Sequence, residues 1–361
     1  MYTFLRIRQL WIHVRKFLAV EFGKTDETIF IERYNIALEQ KYDLGDHAKS
    51  LDAVYFNGMS QNGEAVVCGL ARRPQRMCDS FLYLKINGED LLLSPSLPDT
   101  YLQKGEEDGD EYSVKGLSIS NVMPMRVWNL SYVGDMKPRS NPNKTVKISA
   151  SLTWSAEWPQ FEYNTQMAPQ SMADDMAREP WSRDYFRLVK KLHQTHYEQM
   201  GCLTGTVDID SKTYRIDMQC LRDRSFGPLR EWRNFHRYVY HFIFLENGDC
   251  MAVGSVSQPA TMSHLTIGYL CRKADQSVVA VDSSDYQLYQ HAENRILPKD
   301  YGFTFKAGEK SYEVRVQLID EDQFYIGKDR EAKLYERWSN VEINGVKGKA
   351  CVEWHFNNTQ K

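Results

Sequence analysis

From about residue 50 onward the chain repeatedly folds back on itself: a run of β-branched and aromatic residues, an Asn-Gly or similar pair, then a second such run. An Asn-Gly pair suits a tight hairpin because the favoured two-residue turn needs positive φ at both central positions. Ala53 to Phe56 and Ala65 to Leu70 flank Asn62-Gly63, and Phe81 to Ile86 and Asp90 to Leu93 flank Asn87-Gly88. Tyr238 to Leu245 and Cys250 to Val256 flank Asn247-Gly248, and Val341 to Ile343 and Lys349 to Trp354 flank Asn344-Gly345. Asp210-Ser211-Lys212 and Ala307-Gly308-Glu309 mark two further reversals. Strands at this spacing with no helix between them argue against a parallel α/β sheet and predict a mainly β chain of antiparallel barrels or sandwiches.

One segment breaks the rhythm. Ser182 is a helix cap, and Tyr185, Leu188, Val189, Leu192 and His196 share one face of the helix it predicts, with Gly201 as its end. This segment divides the chain into a lead-in (1–44), a first β domain (45–162), a helical linker (163–200), a second β domain (201–356) and a tail (357–361). With 361 residues, 42% of them hydrophobic, there is material for two cores. Cys68 to Pro74 and Val253 to Pro259 each carry an Asn-Gly hairpin into a strand ending at proline, as two barrels related by duplication would. In the lead-in, Ile7, Leu10, Trp11, Val14, Phe17 and Leu18 recur at helical spacing. Arg8, Gln9, His13 and Arg15-Lys16 interrupt any secretory signal core, so the segment reads as an amphipathic helix, docked on the protein's own body or touching a membrane surface through residues 1–20.

Charge and motif content narrow the function. The 45 Lys+Arg against 48 Asp+Glu give a net charge of −3, which supplies no broad positive field for nucleic acid. No apolar run reaches the roughly 18 residues of a spanning helix. The seven cysteines are odd in number and lack a CxxC pair, which argues against a disulfide framework and a zinc knuckle and favours a reducing cytoplasm. His193 and His196 have no acidic or cysteine ligand at an accepted spacing, and no GxGxxG, P-loop or GxSxG occurs, so no metal or cofactor is expected. Lys104 to Glu111 and Lys137 to Lys147 read as solvated loops.

The densest polar cluster is Arg222 to Arg233, directly after the strand Tyr214 to Leu221. Asp223, held ionised between Arg222 and Arg224, is the candidate acid or base, with Arg222 steadying negative charge and His236 close by in sequence; the alternative is an ion-paired structural corner. In the next strand, alternation places His236, Tyr238, Tyr240, Phe242 and Phe244 on one face and Val239, His241, Ile243 and Leu245 on the other. The aromatic face suits the wall of a cavity for a lipophilic small molecule, or ordinary core. Trp232, Tyr238, Tyr240, His241, Phe242, His264 and Glu353 are the candidate ligand contacts; His241 and His264 also read as core or rim histidines, and Glu353 as a solvent-facing glutamate.

Glu179-Pro180-Trp181-Ser182, Leu192 to Gln199, Arg222 to Gly227, His236 to Phe242 and Val256-Ser257-Gln258-Pro259 resemble a two-domain family from animals and bacteria. Ala71-Arg72-Arg73-Pro74 and Pro124 to Trp128 extend the resemblance over about Asp52 to Trp354. That family is similar, more distantly, to lipocalin-like proteins that include carotenoid hydratases and kievitone hydratase. The resemblance implies two lipocalin-like barrels and a lipophilic pocket, with either binding or the hydration or isomerisation of an alkene-bearing lipid as its use. Two departures stand out. Relatives commonly read Arg-Asp-His-Ser where this chain has Arg224, and Gly-Trp-Gly where it has Gly348-Lys349-Ala350. A guanidinium does not shuttle protons near neutral pH as an imidazole does, so on this reading the chain binds and Arg224 costs it the proton carrier.

Overall fold

The computed structural model describes residues 24–109 and 111–359, so the amphipathic helix expected within residues 1–20 lies outside the described residues. A helix, α1 (Lys24–Glu39), leads into β1 (Leu51–Met59), β2 (Ala65–Arg72), β3 (Met77–Lys85), β4 (Leu92–Leu93), β5 (Tyr101–Gln103), β6 (Tyr112–Val114), β7 (Leu117–Met123), β8 (Val127–Pro138), β9 (Val146–Ala156) and β10 (Phe161–Glu162). Three short helices follow, α2 (Tyr163–Gln166), α3 (Pro169–Met176) and α4 (Arg183–Lys191), and then β11 (Thr195–Ile209) and β12 (Lys212–Gly227). These twelve strands form one sheet, in which β9 pairs with both β8 and β11, so the path β11–β12–β1–β2–β3–β4–β8–β9 returns to its start. The remaining strands, β13 (Arg237–Leu245), β14 (Cys250–Gln258), β15 (Met262–Arg272), β16 (Ser277–Ser284), β17 (Asp300–Ala307), β18 (Lys310–Ile326), β19 (Ala332–Ile343) and β20 (Val346–Asn357), close an antiparallel barrel in chain order. Among the described residues no helix is long and apolar enough to cross a membrane.

The Asn-Gly reversals are where the sequence places them; at the β19–β20 turn, Asn344 and Gly345 have φ of 49° and 84°, the two positive angles the turn demands. Ser182 caps α4, its Oγ accepting from the Tyr185 N–H at 3.0 Å. The helix nevertheless ends at Lys191, not at Gly201. His196 and Gly201 both lie in β11, where a Cβ on residue 201 would stand 2.3 Å from the Ser155 carbonyl oxygen. The division of strands also differs from the expected break at residue 201. β11 and β12 pair with β9 and β1 of the first sheet, and the second sheet begins at Arg237. Short-range patterning identifies a hairpin but not the neighbours on its outer edges, and here β1, the outer neighbour of β12, is more than a hundred residues upstream.

Three apolar cores result. One lies inside the first ring of strands around Phe56, Trp128 and Trp154, and one inside the barrel around Ile243, Phe303 and Trp354. The third joins the two sheets, with Tyr83 and Phe81 of the first against Trp338 and Phe324 of the second; the Phe81 and Phe324 ring centroids are 4.4 Å apart. Arg139 adds an ion pair to Asp320 at 2.8 Å across the same boundary. The end of α1 is tied into the first ring, where Glu39 pairs with Arg222 at 2.8 Å and the Gln40 carbonyl accepts from Arg224 at 2.8 Å.

Candidate functional site between the two sheets

The joint between the sheets is not filled. A cavity of about 390 Å³ lies there, walled by β1, β2 and β12 on one side and by the outer face of the barrel on the other, with α2 and Met172 of α3 over one edge. Its lining is mostly apolar and aromatic, including Tyr55, Phe81, Trp232, Phe235, Tyr238, Tyr240 and Phe242. The rings of β13 therefore project outward from the barrel toward the first sheet, while Val239, Ile243 and Leu245 pack inside it. A second cavity of about 190 Å³ adjoins, sharing Arg73, Arg230 and Trp232 with the first.

Strand alternation sorts the polar candidates. Asp223, Trp232, Tyr238, Tyr240, Phe242 and Glu353 line the cavity. Arg222 and Arg224, flanking Asp223 in β12, point the other way, into the first ring. There Arg222 is wholly buried between Trp128 and Trp154, its guanidinium 5.2 and 5.1 Å from their ring centres, and Arg224 pairs with Asp52 at 3.0 Å. Arg222 thus has no access to a ligand in the cavity, and the charge beside Asp223 is not that of its chain neighbours. His241 is inside the barrel, between the Val253 carbonyl at 2.9 Å and the Tyr301 hydroxyl at 2.8 Å. His264 fastens α3 through Asp175 at 2.9 Å, and His236 sits at the start of the barrel, its N–H bonded to the Ser257 carbonyl at 2.8 Å; neither lines the cavity.

What stands against Asp223 is His196, whose Nε2 is 2.6 Å from Asp223 Oδ2. The β11–β12 register places Glu198 directly opposite Asp223, and His196 Nε2 is 3.5 Å from Glu198 Oε1. Tyr163 and Tyr240 donate to Glu198 Oε2 at 3.0 and 3.3 Å, and Ser225 donates to Asp223 at 3.0 Å. On the barrel side Glu353 is directly opposite Glu336 in the β19–β20 register. Tyr238 donates to Glu353 at 3.2 Å and Tyr55 to Glu336 at 3.2 Å. Sequence reasoning missed His196, Glu198, Tyr55 and Glu336. A helical reading that ran on to Gly201 concealed Glu198, which lies in the strand β11.

The environment sets their protonation. Burial opposes a charged imidazole at His196, but Asp223 and Glu198 outweigh it and push its pKa up to about 9. Burial raises Asp223 as well, yet His196 and Arg230 bring it below its ordinary value. Burial pushes Glu198 up to about 7 against the pull of His196, and pushes Glu353 up to about 7. Glu336 is driven well above the carboxylate range by burial and by Glu353 beside it. At neutral pH the site thus holds an ion pair, His196 with Asp223, beside Glu198 and Glu353 close to half-protonated and Glu336 with its proton kept. His196, Glu198 and Asp223 have ligating atoms within 4.8 Å of one another, the spacing of a metal site, which the sheet assembles from residues that linear spacing did not connect. The 2.6 Å His196–Asp223 contact has the length of a charge-assisted hydrogen bond.

A closed antiparallel barrel beside a second sheet of antiparallel strands is a lipocalin-like fold. The chain belongs to a family of unknown function (DUF8627), whose model matches residues 6–356. Among solved structures it is similar in fold to kievitone hydratase from Nectria haematococca, with a TM-score of 0.53 at 12% identity over 89% of this chain and 94% of that one. It is also similar to CghA with Sch210972, with a TM-score of 0.51 at 11% identity over 86% and 89% of the two chains. No curated protein matches the sequence.

Proposed function

We propose that this chain binds a lipophilic small molecule in the cavity between its two sheets and moves a proton on it, hydrating or isomerising an alkene. One observation carries the reading: Glu353, a carboxyl group with a raised pKa, opens onto a cavity whose remaining wall is largely apolar and aromatic. Such a wall excludes bulk water and strengthens every charge within it. In the proposed step Glu353 gives its proton to one alkene carbon, forming a C–H bond and leaving a carbocation on the other. Tyr238, Tyr240 and Trp232 stabilise that cation through their ring faces. Asp223, ionised beside His196, takes a proton from the water that attacks it, or from the neighbouring carbon in an isomerisation. The role sought at position 224 falls to His196, because residue 224 faces the first ring and not the cavity. Kievitone hydratase is by its name a water-adding enzyme, which agrees with this reading.

Mass spectrometry of solvent extracts of the purified full chain tests it. A lipophilic compound is expected from the wild type and not from Ala71→Trp, which fills the cavity. Incubated in D₂O with wild type, that compound gains carbon-bound deuterium; with Asp223→Asn it does not. Extracts free of any lipophile from wild type overturn the binding, and equal deuterium uptake with Asp223→Asn overturns the chemistry.

A further inference from the structure

Two carboxyl pairs lie at the joint between the sheets, Glu198 with Asp223 across β11–β12 and Glu336 with Glu353 across β19–β20, and of these Asp223 and Glu353 line the cavity. Carboxylates directly opposite on a sheet repel, and these are largely buried. The first pair has His196 against it; the second has no ion-pair partner among the described residues, only the hydroxyls of Tyr55 and Tyr238. Glu198 and Glu336 are wholly buried; Glu198 Oε1 has His196 Nε2 at 3.5 Å, whereas Glu336 Oε2 finds no hydrogen-bond donor. The other cations of the lining do not reach the barrel pair: Arg73 is paired with Asp79 at 2.8 Å and Arg230 donates to Gln194 at 2.7 Å.

Of the carboxyl groups that line the cavity, Asp79 is paired with Arg73 and Asp223 with His196, which leaves Glu353 without an ion-pair partner among the described residues. A neutral alcohol brings no charge to it and a carboxylate brings a like one. A cation seated there favours the ionised form of Glu353, and the faces of Tyr55, Tyr238, Tyr240 and Phe242 carry the negative potential that attracts one. Resting on the reading of the cavity as a lipophile site, we propose that it selects an amphiphilic organic cation, a tertiary or quaternary ammonium ion seated at Glu353, with its hydrocarbon chain along the apolar wall. The carbocation of the proposed step would place the same charge in the same surroundings.

Calorimetric titration of the full chain with decyltrimethylammonium, below its micelle concentration, and with decanol and decanoate tests this. The ammonium ion is expected to bind at least about tenfold more tightly than decanol, with decanoate weakest. Glu353→Gln, and independently Glu336→Gln, should remove most of that preference, read within each variant as the ratio of decyltrimethylammonium to decanol affinity. If decanol binds and the ammonium ion binds no more tightly, the charge selectivity is wrong and the lipophile cavity stands. If none of the three binds, the cavity reading fails and takes this proposal with it.

Discussion

Glu336 and Glu353 are direct cross-strand partners in β19 and β20, two carboxyls side by side on the barrel face that meets the first sheet. Sheets ordinarily separate like charges, so this placement costs stability whenever both groups are ionised. Glu353→Gln should therefore stabilise the fold more at pH 8, where Glu353 has lost its proton, than at pH 5, where the folded state keeps it. Urea denaturation at the two pH values measures the difference; equal effects at both would remove the repulsion from the account.

The pH dependence of stability follows from groups whose proton affinity changes on folding. Glu198 and Glu353, pushed up to about 7, and Glu336, higher still, keep protons in the fold that the unfolded chain releases above about 4.5, so their effect is loss of stability as pH rises. His241 and His355, pushed down by burial to about 4 and about 3, refuse protons that the unfolded chain takes below about 6.5, so they oppose that loss only between about 4.5 and 6.5. His196, pushed up to about 9, contributes fully below about 6.5 and loses its contribution as pH climbs through about 9. Stability should peak near about pH 4.5, decline gently to about 6.5 and steeply to about 9, each unopposed group adding at most about 1.4 kcal/mol per pH unit. Thermal melts from pH 4 to 9 read the profile, and His196→Asn should flatten its alkaline limb.

Arg222 and Glu39 form an ion pair in which both side chains are almost completely buried, tying α1 to the first ring. Removing one partner strands a buried charge, so Glu39→Ala or Arg222→Ala should each cost about 3–5 kcal/mol. Chemical denaturation of the two variants reads that cost; a loss within about 0.5 kcal/mol would mean that water reaches the survivor.

Gly201 is required by its neighbours, since a Cβ there would meet the Ser155 carbonyl oxygen at 2.3 Å and the Trp154 ring at 2.8 Å. Gly201→Ala should lower stability by about 1–3 kcal/mol through separation of β9 and β11. Hydrogen exchange confined to those two strands would show faster opening there than in the barrel.

The linear pattern determined a good deal of this protein. Hairpins at Asn-Gly pairs, the cap at Ser182 and the alternation of β13 are local effects, fixed by φ preferences and by a side-chain period of two, and they follow from a few adjacent residues. The same locality brought Asp223 and Trp232 to attention through a dense polar cluster, and Tyr238, Tyr240, Phe242 and Glu353 through the alternation of their strands. The tertiary structure decided which face met which. Arg222 and Asp223 are neighbours in the chain and lie on opposite sides of a sheet, whereas His196 and Asp223 are 27 residues apart and share a proton at 2.6 Å. The pairing of β12 with β1, the outward turn of the β13 rings and the meeting of two carboxyl pairs all depend on long-range register. Register is selected by burying one whole face of each strand against another, a sum over the entire assembly that no short stretch of sequence contains.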